Sequence, residues 1–132
     1  MKYILMMSGT KANFYWYMTW SKADLQANTA FMRAFSKELK DSGVLVAAEG
    51  LDFPGEAKIV RVGKDGEPIT DGVFPESKEF LAGFWIIDVD TPERAYAIAA
   101  RVSAAPGPGG IPLNMPIEVR PLMSVPPPEM LR

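Results

Sequence analysis

Apolar positions along this chain follow two rhythms, one of strands and one of helices. Residues 2–7 (Lys-Tyr-Ile-Leu-Met-Met) predict a strand that is apolar on both alternating faces, broken by Ser8-Gly9-Thr10. Residues 82–89 predict a second strand of the same two-faced kind. Between them, Leu25, Thr29, Met32, Phe35 and Leu39 recur at helical spacing. Ser21 stands at the N-cap of that helix, with Asp24 in the reciprocal position of a capping box, and Gly43 at its left-handed end. The helix is placed at 22–42. Strands follow at 44–51 and 57–62. Lys64-Asp65-Gly66-Glu67 closes a hairpin onto a short strand at 67–70. Thr91 caps a second helix with Pro92 in its first turn, where a missing N–H costs nothing. Ala95, Ile98, Ala99 and Val102 form its apolar stripe, and Pro106-Gly107-Pro108-Gly109-Gly110 ends it. At 116–122, Ile117 and Val119 alternate with Glu118 and Arg120 as in a last, half-buried strand. The aromatic run Phe14, Tyr15, Trp16, Tyr17 and Trp20 is apolar at nearly every position, so its rhythm selects no element.

Strand, helix, strands, helix, strand is an α+β order, that of a ferredoxin-like sandwich with an extra β-hairpin. Two helices cover one face of a sheet. Trp85, Ile87 and Val89 share one face, Phe84 and Ile86 the other; Tyr3, Leu5 and Met7 likewise oppose Ile4 and Met6. Leaving Ile4, Met6, Phe84 and Ile86 wet would forgo roughly 6–12 kcal/mol, comparable with the ~5–15 kcal/mol stability of a whole domain. A second subunit, sheet against sheet about a two-fold axis, is the expected cover. The competing arrangement folds the aromatic run at 14–20 back over its own sheet.

Composition narrows the chemistry. The 132 residues are one domain's worth, placed at 1–123 with a Pro-rich tail at 124–132. Neither cysteine nor histidine is present. Thiol nucleophiles, disulfides, Ser-His-Asp catalysis and the common zinc sites are therefore excluded. A net charge of −2 with no basic run speaks against nucleic acid. No apolar run is long enough for a bilayer, and the first residues do not form a signal peptide. A cytoplasmic protein with no cofactor is expected.

Six stretches then stand together. They are Met-Lys-Tyr-Ile-Leu-Met-Met at 1–7, Gly-Val-Leu-Val-Ala-Ala-Glu-Gly-Leu at 43–51 and Ile-Val-Arg-Val at 59–62. They continue with Thr-Asp-Gly-Val-Phe-Pro-Glu-Ser-Lys-Glu at 70–79, Gly-Phe-Trp-Ile-Ile-Asp-Val-Asp at 83–90 and Ile-Glu-Val-Arg-Pro-Leu-Met at 117–123. In order and spacing they resemble the YCII-related family, in its DGPF subgroup, over the chain to Met123. The resemblance implies a ferredoxin-like fold and a homodimer of the dimeric α/β-barrel type, in agreement with the two-faced strands. It implies no settled activity. Some relatives carry a His-Asp pair proposed as catalytic, and the wider superfamily includes isomerases, lyases and monooxygenases. Subgroup members are often encoded beside extracytoplasmic-function sigma factors, which makes a non-catalytic regulatory module with such a partner the alternative. Two departures stand out: Val73 occupies the proline position of Asp-Gly-Pro-Phe, and no histidine exists to repeat the relatives' pair.

Candidate site residues are polar positions on otherwise apolar strands and the rigid 70–78 loop. Asp71 and Glu49 are the candidate acid/base groups. Arg61, Lys78, Glu118, Arg120 and Trp16 are the candidates to hold a small polar or anionic metabolite. Each has a plainer alternative. Asp71 before Gly72 also fixes a turn, the arginines and glutamates also satisfy one another, and the aromatics also pack an interface.

Overall fold

The computed structural model describes residues 1–71, 79–123 and 126–132. Strand β1 (Lys2–Gly9) leads into helix α1 (Lys11–Met18), then α2 (Lys22–Asp41) and β2 (Leu45–Gly50). A hairpin of β3 (Ile59–Val62) and β4 (Pro68–Asp71) follows, then β5 (Phe80–Asp88), α3 (Pro92–Ser103) and β6 (Ile117–Pro121). Four strands form one antiparallel sheet in the order β2-β5-β1-β6. The molecule is thus α+β, with three helices, and compatible with a ferredoxin-like fold.

Local chemistry sets most boundaries where the sequence predicts them. Ser21 Oγ accepts the Asp24 N–H at 3.1 Å, and Thr91 Oγ1 accepts that of Arg94 at 3.2 Å. Gly43 (φ 77°) ends α2, and Gly66 (φ 84°) turns the hairpin. The first strand runs on through Ser8 to Gly9, because β5 opposes it with an extra residue between the Met7–Gly83 and Ser8–Leu81 pairs. The aromatic run, for which the pattern selects no element, is helical.

One face of the sheet carries the core. Tyr3, Leu5, Trp85, Ile87 and Val89 meet Phe35 and Leu39 of α2 and Ala95, Ile98, Ala99 and Val102 of α3. Leu5, Ile87 and Val102 are completely buried. The opposite face carries Ile4, Met6, Phe84 and Ile86, all half-buried. Register places Glu49 opposite Phe84, Glu118 opposite Met6 and Arg120 opposite Ile4 on that same face. The β3–β4 hairpin is a separate two-stranded ribbon, exposed along both strands. Pro128–Met130 forms one exposed 3₁₀ turn within the Pro-rich tail. Among the described residues no helix is long and apolar enough to cross a membrane.

Candidate functional site

The site is roofed by α1, which the sequence builds with its own start signal. Thr10 Oγ1 accepts the Asn13 N–H at 3.2 Å, and Asn13 Oδ1 accepts the Thr10 N–H at 2.9 Å. This is a full capping box with Asn in place of the usual Glu. The helix buries none of its residues. Instead, aromatic contacts hold it over one end of the sheet. Phe14 stacks on Phe53, in the connection after β2, with ring centroids 4.1 Å apart. Trp20 receives Trp16 edge-on at 5.2 Å and Tyr17 at 5.1 Å.

Beneath this roof lie two adjoining cavities of about 490 Å³ each, within the size range of small-molecule sites. The first lies between Phe14 and Tyr17 of α1, Asn28, Met32 and Ser36 of α2, and Met7, Ala48 and Trp85 of the sheet, with Glu49 and Asp52 in its wall. The second is bounded by Trp16, Tyr17, Trp20, Asn28 and Met32, with Glu79, Asn114 and Glu118. Ser8, Asn13, Tyr17 and Asn28 belong to both.

Polar groups are set into these mostly apolar walls. Asn28 is 9 % exposed; its amide nitrogen donates to the Pro106 carbonyl at 3.0 Å, and no donor among the described residues reaches its oxygen. Ser36 Oγ accepts the Trp85 indole N–H at 3.2 Å. The Trp20 indole N–H is buried and has no acceptor among the described residues. The charged residues in the described walls are all carboxylates: Glu49 and Asp52 in the first cavity, Glu79 and Glu118 in the second. Among the described residues no group of three or more acidic side chains could hold a metal ion.

The sequence-predicted residues divide accordingly. Glu49 lines the first cavity, and Glu118 and Trp16 the second. Arg120 lines neither; its guanidinium stands 3.7 Å from the Glu118 carboxylate. Arg61 and Asp71 lie out on the ribbon and pair with each other at 2.6 Å, both largely exposed. Lys78 lies outside the described residues, with the rest of 72–78; Glu79 and Phe80, which follow that loop, line the cavities. Sequence reasoning missed Asn13, Trp20, Asn28 and Ser36. Asn28 had left a trace: it falls three residues after Leu25 and four before Met32, a polar group on the buried stripe of a helix.

Residues 1–110 match the family model described as the YCII-related domain. The chain belongs to the YCII-related family. No curated protein matches it in sequence. In this YCII-related chain the matched span includes α1, α2, β2 and β5, hence nearly all of the first cavity's wall. Leu113 to Glu118, which close the second cavity, lie beyond it.

Proposed function

We propose that this YCII-related chain is of the DGPF type and acts as a homodimer that binds or transforms a small polar or anionic metabolite in the cavities under α1, near the 70–78 loop. One observation carries the reading: about 490 Å³ of space between α1, α2 and the sheet, with apolar walls and the polar groups of Asn13, Asn28, Ser36 and Glu49 around it. Glu49 is the carboxylate we assign to acid/base work; it stands in the wall of the first cavity at the sheet edge, with its side chain on the face that carries Phe84. Asp71 and Arg61 instead brace the ribbon against each other. Half-buried Ile4, Met6, Phe84 and Ile86 support the sheet-to-sheet barrel that the dimer would form.

A thermal-shift screen against metabolites tests the reading, because a ligand of the folded state raises the melting temperature by mass action. A ligand is expected to raise it in the wild type and less in Glu49→Gln. A screen across anionic, neutral and cationic metabolites with no shift would overturn the cavity as a binding site.

The alternative, a regulatory module working with an extracytoplasmic-function sigma factor, draws on the ribbon. Ile59, Val60, Val62 and Ile69 are exposed there, a surface of the kind protein partners cover. Capture of a sigma factor by the wild type, lost in Val62→Asp with Ile69→Asp, is the result that this reading requires.

A further inference from the structure

The unpaired groups of one buried side chain select a ligand class, given the reading of the cavities as a small-molecule site. We propose that the space under α1 takes a neutral molecule with an apolar body and a carboxamide head, and that the head pairs with Asn28. Three observations converge. First, the sequence makes the gap between α2 and the sheet. Register turns Ala48, Gly50 and Gly83 to the face that carries the buried Trp85 and Ile87. Where that face carries large side chains it closes on the helices; where it carries Ala and Gly it borders the first cavity. A Cβ at Gly50 would meet nothing beyond its chain neighbours within 4 Å.

Second, Asn28 is nine-tenths buried and borders both cavities. Its bond to the Pro106 carbonyl commits one amide hydrogen. A second N–H and the oxygen remain, with no partner among the described residues. Trp20 Nε1 is the one unpaired side-chain polar atom sealed away among those residues. The Asn28 oxygen is therefore open to the space that Asn28 borders. A group that meets an amide's oxygen and N–H together is another amide, whose N–H donates and whose carbonyl accepts. Asn13, with its oxygen held by Thr10, adds N–H donors at the rim that also suit a carbonyl. Third, no charged side chain among the described residues faces the gap from the sheet. Glu49 lies on the face that carries Phe84, and Glu118 on that same far face beside Met6. Asp52 is exposed, with one oxygen held by the Phe53 N–H at 2.7 Å. An ion entering the gap would give up water without gaining a counter-charge. A neutral head gives up less and recovers it at Asn28, while Met7, Phe14, Met32 and Trp85 offer apolar surface to the body.

Four probes on one phenylpropyl frame separate these features: 3-phenylpropanamide, its N,N-dimethyl form without N–H, the anion 3-phenylpropanoate and the cation 3-phenylpropylamine. Each is titrated against the full chain at up to millimolar concentration and read by intrinsic fluorescence, since Trp16, Trp20 and Trp85, the chain's three tryptophans, all stand in the walls. 3-Phenylpropanamide is expected to bind roughly ten-fold more tightly than either ion and about three-fold or more tightly than the dimethyl form. Asn28→Leu should erase its advantage over the dimethyl form. Should that variant fail to fold, Gly50→Val carries the test of place: it keeps Asn28 and its bond to Pro106, fills open space on an extended strand, and should weaken 3-phenylpropanamide roughly ten-fold. Either ion binding as tightly as the amide, an unchanged amide preference in a folded Asn28→Leu, undiminished binding in Gly50→Val, or no binding by any probe overturns the carboxamide. A metabolite screen whose hits are all ions also overturns it, yet leaves the cavity as a site. Only a screen without any hit removes both.

Discussion

Asp24 stands three residues after the Ser21 cap, where a capping box would close, yet its carboxylate accepts the Gly109 N–H at 3.2 Å. The sequence pattern predicts a bond within one helix; the fold uses the group to tie the start of α2 to the turn that follows α3. That turn needs the tie because Gly109 sits at φ 69° and its N–H lies outside any ladder. Asp24→Ala is therefore expected to cost about 1 kcal/mol in urea unfolding and to speed hydrogen exchange at the Gly109 amide more than at the first turn of α2. The Arg61–Asp71 pair makes a contrasting case. At 2.6 Å the geometry is good, but both side chains are more than half exposed. A double-mutant cycle should return a coupling of only ~0.2–1 kcal/mol, weakened further by salt. A larger coupling would mean that something covers the ribbon.

At the scale of elements, the strands and the two long helices were legible because each obeys a local rule. Ile117 and Val119 alternate with charges, Ser21 and Thr91 cap, and Gly43 and Gly66 take positive φ. What was not legible is α1 and the space under it. Its residues are aromatic at nearly every position, so no apolar stripe marks a helix, and burial cannot mark one where nothing is buried. The readable signal was Thr10 with Asn13, a capping box in which Asn replaces Glu. The cavities were beyond reach for another reason: Asn13, Asn28 and Glu49 are brought together by tertiary packing, and no spacing along the chain encodes that. Since an eight-residue helix is marginal by itself, α1 should depend on its cap and on the Phe14–Phe53 stack. Thr10→Ala is expected to remove about 1 kcal/mol from that helix. Phe53→Ala should loosen it from the opposite side. In both variants, hydrogen exchange at 11–18 should rise while the core strands β1 and β5 keep their protection. Equal acceleration throughout would show that α1 belongs to the core's cooperative unit.

For the whole molecule, the two faces of one sheet make opposite predictions. Leu5 and Ile87 are completely buried between sheet and helices, while their neighbours Ile4 and Ile86 are only half-buried on the other side. Leu5→Ala leaves a hole in the core and is expected to cost ~2–5 kcal/mol, lowering the melting temperature at any protein concentration. Ile86→Glu leaves the core untouched. If a second copy covers that face, a two-fold axis brings two new carboxylates into one apolar interface, and neither can keep its water without prying the sheets apart. Dissociation should then become easier by roughly a hundred-fold or more. Sedimentation over a dilution series would show a wild-type dimer and an Ile86→Glu monomer with its secondary structure intact. A wild type that sediments as a folded monomer throughout would instead mean that this sheet tolerates Ile4, Met6, Phe84 and Ile86 half in water. The barrel would then fall, while the cavities under α1 would stand, since their described walls come from a single chain.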